Sequence, residues 1–228
     1  NHMRMKEKVY LVNAGNDVGM SAIANDSCFP ALGVLALGTW LQKRIPEIEV
    51  ICRDGQVASM DEISEVWWNN NLLLVGISTL STSYQNAIEI AHRAAVFGTS
   101  IVFGNDHAAQ TAATMMEQQA IVTQVIGSEY GEESLEALIR HILTKPYDED
   151  PVEVPHLSFY GRKGPVISDN SARSTSIVNS RLNPSGVRKG ALDVFPIVDR
   201  TLYPESHWQA YLKNYKAKFG HLHDEEIT

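Results

Sequence analysis

Residues 72–83 read Leu-Leu-Leu-Val-Gly-Ile-Ser-Thr-Leu-Ser-Thr-Ser, and this stretch decides the fold. Its first six residues form a continuous apolar run, which is typical of a central parallel strand buried on both faces. The second half is rich in hydroxyl groups, and Ser83 is a residue type that favours the start of a helix. We therefore predict a strand at residues 72–77 and a helix over residues 84–97, which together form one unit of a parallel α/β sheet.

Similar units lie on both sides of this stretch. The other predicted strands lie at residues 9–12, 47–53, 100–103 and 121–126. The other predicted helices lie at residues 29–44, 60–68, 108–118 and 132–143. Five such strand–helix units predict an α/β fold with a doubly wound, five-stranded parallel sheet, flavodoxin-like or Rossmann-like, in the strand order 2-1-3-4-5.

The composition of the chain changes after Lys145. Residues 146–155 are acidic and marked by prolines, which predicts a linker. Residues 157–167 favour a small β-hairpin that turns at residues 161–164. Residues 168–190 are rich in Ser, Asn and Arg and contain few apolar side chains, which predicts a mobile loop.

The last part of the chain, residues 192–219, is rich in aromatic side chains, including Phe195, Trp208 and Tyr211. Such a segment needs an apolar surface to pack on, either the sheet domain or a structure beyond Thr228. We therefore divide the chain into an α/β domain over residues 6–145 and a C-terminal extension over residues 146–228.

Composition excludes several classes of function. The chain of 228 residues contains 27 acidic and 19 basic residues, and its net charge of −8 argues against a nucleic-acid partner. The two cysteines, Cys28 and Cys52, fit a reducing compartment and are too few for a disulfide framework or a cysteine-only metal cluster. Neither a membrane span nor a secretory signal is predicted, which favours a cytoplasmic location.

Loops rich in small and polar residues follow four of the predicted strands. In an open parallel sheet, ligands bind outside the carboxyl ends of the strands, where helix N-termini and free backbone amides converge. We expect these loops to bind a large, flat ligand that carries amides and a phosphate. The candidate binding residues are Asn13, Ala14, Gly15, Asn16 and Asp17; Ser78, Thr79, Leu80, Ser81 and Thr82; Gly104, Asn105, Asp106 and His107; and Gly127, Ser128, Glu129, Tyr130 and Gly131.

The loops do not match those of three protein classes that share this fold. A response regulator would have an aspartate where the third strand ends in Ser78. A flavodoxin would have a hydroxyl-rich phosphate loop after the first strand, whereas residues 13–20 contain no hydroxyl group. A dinucleotide fingerprint requires G-x-G-x-x-G, which the spacing of Gly15 and Gly19 does not supply.

Five stretches, in the same order along the chain, resemble the cobalamin-binding domains of cobalamin-dependent radical SAM enzymes. Residues 75–83 are similar to the stretch whose Ser and Thr side chains line the channel for the nucleotide tail. Residues 29–37, Phe-Pro-Ala-Leu-Gly-Val-Leu-Ala-Leu, resemble the Pro-Leu-Gly-Leu helix start of those domains. Residues 102–107 resemble their Val-Gly-Gly-x-His turn, with Asn105 in place of the second glycine.

The other two stretches lie later in the chain. Residues 127–135 resemble the motif Gly-Glu-x-Glu-x-Thr-Leu, with two inserted residues. Residues 192–200, Leu-Asp-Val-Phe-Pro-Ile-Val-Asp-Arg, are similar to the short segment that precedes the radical SAM barrel.

The resemblance implies a cobalamin-binding module of a radical SAM methyltransferase. Ser78, Thr79, Ser81 and Thr82 would line the tail channel together with the turn at Gly104. SAM and an iron–sulfur cluster would belong to a C-terminal radical SAM domain that is not in this chain. The chain alone would then be catalytically silent, with neither catalytic nor metal-ligating residues of its own.

The loop after the first strand bears on the lower ligand of cobalt. Cobalamin domains carry Asp-x-His-x-x-Gly there, and residues 14–19 read Ala-Gly-Asn-Asp-Val-Gly. Asn16 therefore occupies the histidine position, and Ala14 replaces the carboxylate that would orient an imidazole. We expect that no histidine ligates cobalt.

Simpler interpretations remain open at this point. The hydroxyl groups of residues 78–82 could serve only as turn and helix-cap formers, and His107 could be a surface or capping histidine. In that case the chain would be a free-standing, non-catalytic binding or sensor domain of the same fold.

Overall fold

In the described residues, helices and strands build an α/β fold on a mostly parallel sheet of seven strands. The computed structural model describes residues 6–20, 26–68, 72–127, 131–145, 148–168 and 195–220. The strands are β1 (Glu7–Asn13), β2 (Ile48–Asp54), β3 (Leu72–Ser78), β4 (Ser100–Gly104), β5 (Gln124–Ile126), β6 (Leu157–Gly161) and β7 (Gly164–Val166). The α-helices are α1 (Leu32–Arg44), α2 (Met60–Glu65), α3 (Tyr84–Ala95), α4 (Asp106–Gln118), α5 (Gly131–Thr144) and α6 (Glu205–Phe219).

The first five strands are parallel and lie in the order β2-β1-β3-β4-β5, which is the order predicted from the sequence. The register places Asn13 opposite Ser78, and Ser78 opposite Gly104. The ends of three strands therefore meet at one edge of the sheet, which we call the carboxyl edge.

The expected count of five strands is too low for the whole sheet. The predicted hairpin forms as β6 and β7, but it also extends the sheet, because β6 pairs antiparallel with β5. Gln124 lies opposite Phe159, and Ile126 lies opposite Leu157. The sheet is therefore mixed: five parallel strands are followed by an antiparallel hairpin at one side, an addition that is common in sheets of this kind.

Two apolar cores lie on the two faces of the sheet, because successive side chains of a strand point to opposite faces. Val9 and Leu11 belong to the core that includes α1 and α5. Tyr10 and Val12 belong to the core that includes α2, α3 and α4.

The aromatic C-terminal segment packs on the first of these cores. Tyr203 and Tyr211 are buried there, and Phe195 and Trp208 pack against it. The described part of the aromatic segment therefore packs on the sheet domain, which is one of the two surfaces expected from the sequence.

Several element boundaries differ from those predicted. The helix α4 begins two residues early, at Asp106, because the Asn105 side chain accepts a hydrogen bond from the Asp106 amide. The strand β5 covers three residues only, since the Val122 amide donates to the Gln119 carbonyl in a turn. The predicted mobile loop lies almost entirely outside the described residues, which stop at Ser168 and resume at Phe195.

Within the described part of the chain, none of the helices combines the length and the apolar character that a membrane crossing requires.

Candidate functional site

A cleft of about 210 Å³ opens at the carboxyl edge. It lies over the ends of β1, β3 and β4, between the first turns of α1 and α5. Most of its lining side chains are apolar, which suits a flat, apolar ligand. The lining residues are Leu11, Val12, Gly33, Val34, Leu37, Gly76, Ile77, Ser78, Val102, Phe103, Gly104, Asn105, Ile126, Gly131, Glu132 and Leu135.

Glycines leave the cleft open on three sides. A Cβ added at Gly33 or Gly104 would meet no heavy atom within 4 Å, and one added at Gly131 would meet only Leu37 Cδ2 at 3.5 Å. At Gly76 the added atom would lie 2.8 Å from Leu11 Cδ2. Glycine at position 76 therefore makes room for Leu11, whereas the other three glycines keep space free for a ligand.

Asn105 shapes the polar end of the cleft. Its Nδ2 donates to Ser78 Oγ at 3.0 Å, and its Oδ1 accepts from the Asp106 amide at 2.7 Å. Its backbone has φ +80° and ψ 170°, a combination that glycine adopts far more readily than other residues. A glycine would adopt this conformation without strain, and the Val-Gly-Gly-x-His motif that residues 102–107 resemble has a glycine at this position.

Glu132 is the single titratable residue among the described residues that line the cleft. Burial raises the pKa of its carboxyl, its own backbone amide lowers it, and the neighbouring Glu133 raises it, with a net result above the ordinary value. The ionised form of this carboxyl is therefore less favoured in the cleft than that of a glutamate in water.

The loop after β1 is fastened to the N-terminus of α3. The Asp17 carboxylate accepts hydrogen bonds from the amides of Gln85 and Asn86, at 3.0 and 2.8 Å. In return, Asn86 Nδ2 donates to the carbonyls of Gly15 and Asn16, at 2.8 and 2.9 Å. The negative charge of Asp17 thus stabilises the N-terminus of α3. Together with the bonds from Asn86, it fixes the position of this loop at the carboxyl edge.

The predicted hydroxyl residues are divided between the cleft and other places. Of the four, only Ser78 lines the cleft. Thr79 is fully buried, with its amide donating to the Gly104 carbonyl at 3.0 Å and its hydroxyl directed to the Ile77 carbonyl at 3.4 Å. Ser81 is exposed on a short 3-10 turn, and the Thr82 carbonyl accepts from the Asp17 amide.

The other candidate binding residues are spread along the carboxyl edge. Asn13 and Ala14 are buried at the end of β1, and His107 contacts the Tyr84 ring, with centroids 5.5 Å apart. Leu80 and Asp106 are exposed, and the Gly127 amide donates to the His156 carbonyl. Gly104, Asn105 and Gly131 line the cleft with Ser78. Ser128, Glu129 and Tyr130 lie outside the described residues.

Apart from Gly131, sequence reasoning did not name the residues that form the helical walls of the cleft. Both helices use the same spacing, a glycine followed by residues one and four positions later. These residues are Gly33, Val34 and Leu37 in α1, and Gly131, Glu132 and Leu135 in α5. The repeated spacing was visible in the sequence, but the face that each helix turns to the sheet was not.

A buried aspartate, Asp54, lies beside the cleft at the end of β2. Its side chain accepts hydrogen bonds from Asn13 Nδ2 at 2.9 Å, from the Gln56 amide at 3.0 Å and from the Ala31 amide at 3.3 Å. The Tyr211 hydroxyl of α6 also donates to it. One carboxylate therefore joins the end of β1, the start of α1 and the C-terminal helix.

Two more side chains of the C-terminal segment complete this contact. His207 Nε2 accepts from the Asp54 amide at 3.0 Å, and the Tyr203 hydroxyl donates to the Ala31 carbonyl at 3.0 Å. Burial lowers the pKa of His207, and Arg53 lowers it further. Burial and the nearby Asp54 carboxylate raise the pKa of Tyr203. Ala31, the residue before α1, is therefore hydrogen-bonded at both its amide, to Asp54, and its carbonyl, from Tyr203.

Glu136 connects the two helical walls of the cleft. Its carboxylate accepts from Trp40 Nε1 at 2.9 Å and from Arg44 at 3.1 Å, both in α1, and from Arg140 at 3.0 Å in α5. Burial raises the pKa of Glu136, but the hydrogen bonds from Arg140, Arg44 and Trp40 outweigh it and hold this pKa below the ordinary value. The charged form is thus the one that joins α1 to α5.

Exposed apolar side chains follow the strand ends at the carboxyl edge. Val18 and Met20 follow β1, Leu80 follows β3, and Leu32 begins α1. Among the described residues, no group of three or more His, Cys, Asp and Glu side chains is arranged to hold a metal ion.

The chain matches no protein-family model, and no match was found among curated proteins.

Proposed function

We propose that the cleft binds the nucleotide tail of cobalamin and that the chain is the cobalamin-binding module of a radical SAM methyltransferase. In this proposal the five parallel strands and their helices form a doubly wound core, and the remainder is a C-terminal extension. The observation that carries the proposal is the glycine-walled, apolar cleft between α1 and α5 at the carboxyl edge. The motifs at residues 29–37, 75–83 and 127–135 all contribute residues to it.

The size of the cleft supports binding of the aromatic base of the tail, with the corrin ring outside the cleft. An engineered apolar cavity of about 150 Å³ holds benzene. A cleft of about 210 Å³ therefore accommodates a bicyclic base such as benzimidazole. The corrin ring is much larger, and it would lie outside on the exposed apolar side chains of Val18, Met20, Leu32 and Leu80.

The cofactor, when bound, would supply a cobalt centre that carries a methyl group. The chain would bind and orient it, with Ser78 and Asn105 presenting polar groups at one end of the cleft. SAM and the iron–sulfur cluster would be held by a radical SAM domain outside this chain, in a cytoplasmic enzyme.

Binding of hydroxocobalamin tests the proposal. After titration and gel filtration, we expect a visible chromophore that elutes with the protein. The Gly33→Leu variant should lose the chromophore, because a side chain at position 33 would occupy the open cleft. Gly220→Leu is the matched control, since an added Cβ there also meets nothing within 4 Å and the residue lies at the end of α6. Wild-type protein that stays colourless would overturn the proposal.

The loop after β1 gives a second test. With Asn16 at the expected histidine position, the cobalt(II) form should show no nitrogen superhyperfine splitting from a histidine in its electron paramagnetic resonance spectrum. Such splitting would contradict the alignment of this loop.

A free-standing binding module is the second candidate. One observation favours it: Tyr203 and Tyr211 are already buried against the sheet domain, so these side chains need no further domain to cover them. The natural gene separates the two candidates, because only the first requires a cysteine triad spaced C-x-x-x-C-x-x-C beyond residue 228.

A further inference from the structure

The polar groups of the cleft are few and differ in kind. Ser78 and Asn105 already bond to each other at one end. Glu132 lines the wall formed by α5, among apolar side chains such as Leu37 and Leu135. A ligand in this cleft would therefore meet one carboxyl group in otherwise apolar surroundings.

No cation in the described lining balances the charge of Glu132. The residues that β1, β3, β4 and α1 contribute to the cleft are all uncharged. The neighbouring charge that acts on Glu132 is the carboxylate of Glu133, which is exposed on the same helix. A ligand that removes the remaining water should therefore raise the pKa of Glu132 further, so that its carboxyl takes up a proton more readily.

We propose that Glu132 shares one proton with the basic ring nitrogen of a bicyclic aromatic base bound in the cleft. This inference rests on the proposed function and names the part of the ligand that Glu132 recognises. The proton comes from solvent, so that an ionised carboxylate and a neutral base bind together with one proton as an O–H···N or O⁻···H–N⁺ pair. No covalent bond forms or breaks apart from this proton transfer.

The proposal predicts a specific pH dependence. Where the free carboxyl is ionised and the free base is neutral, uptake of one proton makes the affinity fall about tenfold for each unit of pH. A base of the same shape without a basic nitrogen cannot share the proton, and its affinity should not show this slope.

Suitable probes are 1-methylbenzimidazole and 1-methylindole, which have similar shapes and differ in the basic ring nitrogen. We would titrate each into the full chain by isothermal titration calorimetry, in two buffers of different ionisation enthalpy, to count the protons taken up. The expected result is uptake of about one proton for 1-methylbenzimidazole and of none for 1-methylindole.

The variants separate this role from a structural one. Glu132→Gln keeps an N–H donor for the ring nitrogen but has no proton to exchange, so it should bind 1-methylbenzimidazole without the pH slope. Glu133→Gln, on the exposed neighbour, should keep the slope. Equal slopes in wild type and Glu132→Gln, or equal affinities of wild type for the two probes at all pH values, would overturn the inference.

A parallel titration with hydroxocobalamin distinguishes the two levels of the proposal. Cobalamin bound without proton uptake, equally in wild type and Glu132→Gln, would overturn the role of Glu132 and leave the proposed function standing. Proton-coupled binding of 1-methylbenzimidazole to a protein that stays colourless would overturn the corrinoid proposal and support the role of Glu132 toward an aromatic base.

Discussion

Asn105 shows how one residue can set the geometry of a site at a cost in backbone energy. Its positive φ and extended ψ place it in a region that costs non-glycine residues about 1–3 kcal/mol. Its side chain offsets part of this cost by capping α4 and by bonding to Ser78. The strain lies where the cleft meets the sheet, and strain of this kind often accompanies a binding site.

Replacing Asn105 should therefore have opposite effects with glycine and with alanine. Asn105→Gly should raise the free energy of unfolding by about 1 kcal/mol, because glycine relieves the strain and costs little as a helix cap. Asn105→Ala should lower it by about 1–2 kcal/mol, because alanine keeps the strain and loses the cap. Urea unfolding curves of the two variants check this, and a loss of stability in both would contradict the assigned strain.

At the scale of elements, Glu136 joins α1 to α5, the two helices that form the walls of the cleft. The charged carboxylate accepts all three hydrogen bonds, from Trp40, Arg44 and Arg140. Since its pKa is lowered in the folded state, its contribution is present above the ordinary value of 4.5 and is lost as pH falls through the folded-state pKa.

We expect Glu136→Gln to lower the free energy of unfolding by about 1–3 kcal/mol at neutral pH, because bonds from charged donors to a carboxylate are the strong ones. The difference from wild type should shrink below pH 4.5, as the wild-type carboxyl becomes protonated. Chemical unfolding at several pH values measures it. The exposed Glu133→Gln is the control, and a difference that stays constant with pH would contradict the argument.

The helix α6 is attached to the domain through Asp54. Tyr211→Phe would remove one donor from this buried carboxylate, at a cost of about 1–3 kcal/mol. We expect faster amide hydrogen exchange in α6 and in the first turn of α1, since Asp54 also holds the Ala31 amide. Tyr160→Phe, which loses a bond to the Met116 carbonyl elsewhere, should leave both regions unchanged. Unchanged exchange in both regions of Tyr211→Phe would contradict the attachment.

Features that depend on residues close together in the chain could be predicted from the sequence, whereas features that depend on distant residues could not. Residues 72–77 predict a buried strand from their own apolar character, and Pro46 marks the end of α1 to within two residues. By contrast, nothing in the sequence near Asp54 indicates its bond to Tyr211, which lies 157 residues away in the chain. The pairing of the hairpin with β5 and the rotation of α1 and α5 toward the cleft likewise depend on tertiary packing, which no local pattern records.

At the scale of the whole molecule, ligand binding and cluster chemistry are expected to be separate. A radical SAM cluster requires three cysteine thiolates on one loop. Cys28 and Cys52 are both buried in different parts of the fold, and burial raises the pKa of the Cys52 thiol to about 12. After iron–sulfur reconstitution, the chain should release neither 5′-deoxyadenosine nor S-adenosylhomocysteine from SAM. Turnover above the protein-free control would show that the chemistry has been misassigned.

The response of the whole fold to pH combines groups that act in opposite directions. His207 has a lowered pKa, so the unfolded chain binds more protons than the folded chain below the ordinary value of 6.5, and stability is lost as pH falls from there. Glu132 has a raised pKa, so the folded chain binds more protons above 4.5, and stability rises as pH falls through that window. Asp54 and Glu62 raise the pKa of His207, but burial and Arg53 prevail.

These opposing slopes can be separated with two variants. His207→Gln keeps an acceptor for the Asp54 amide and removes the titration, so its stability should stop falling as pH decreases from 6.5. Glu132→Gln removes the opposing slope, so its stability should fall more steeply than that of wild type as pH approaches 4.5 from above. Thermal unfolding across this range measures both, with Glu117→Gln at an exposed position of α4 as the control. A His207→Gln curve parallel to that of wild type would show that His207, the buried histidine of α6, makes no pH-dependent contribution to the stability of the fold.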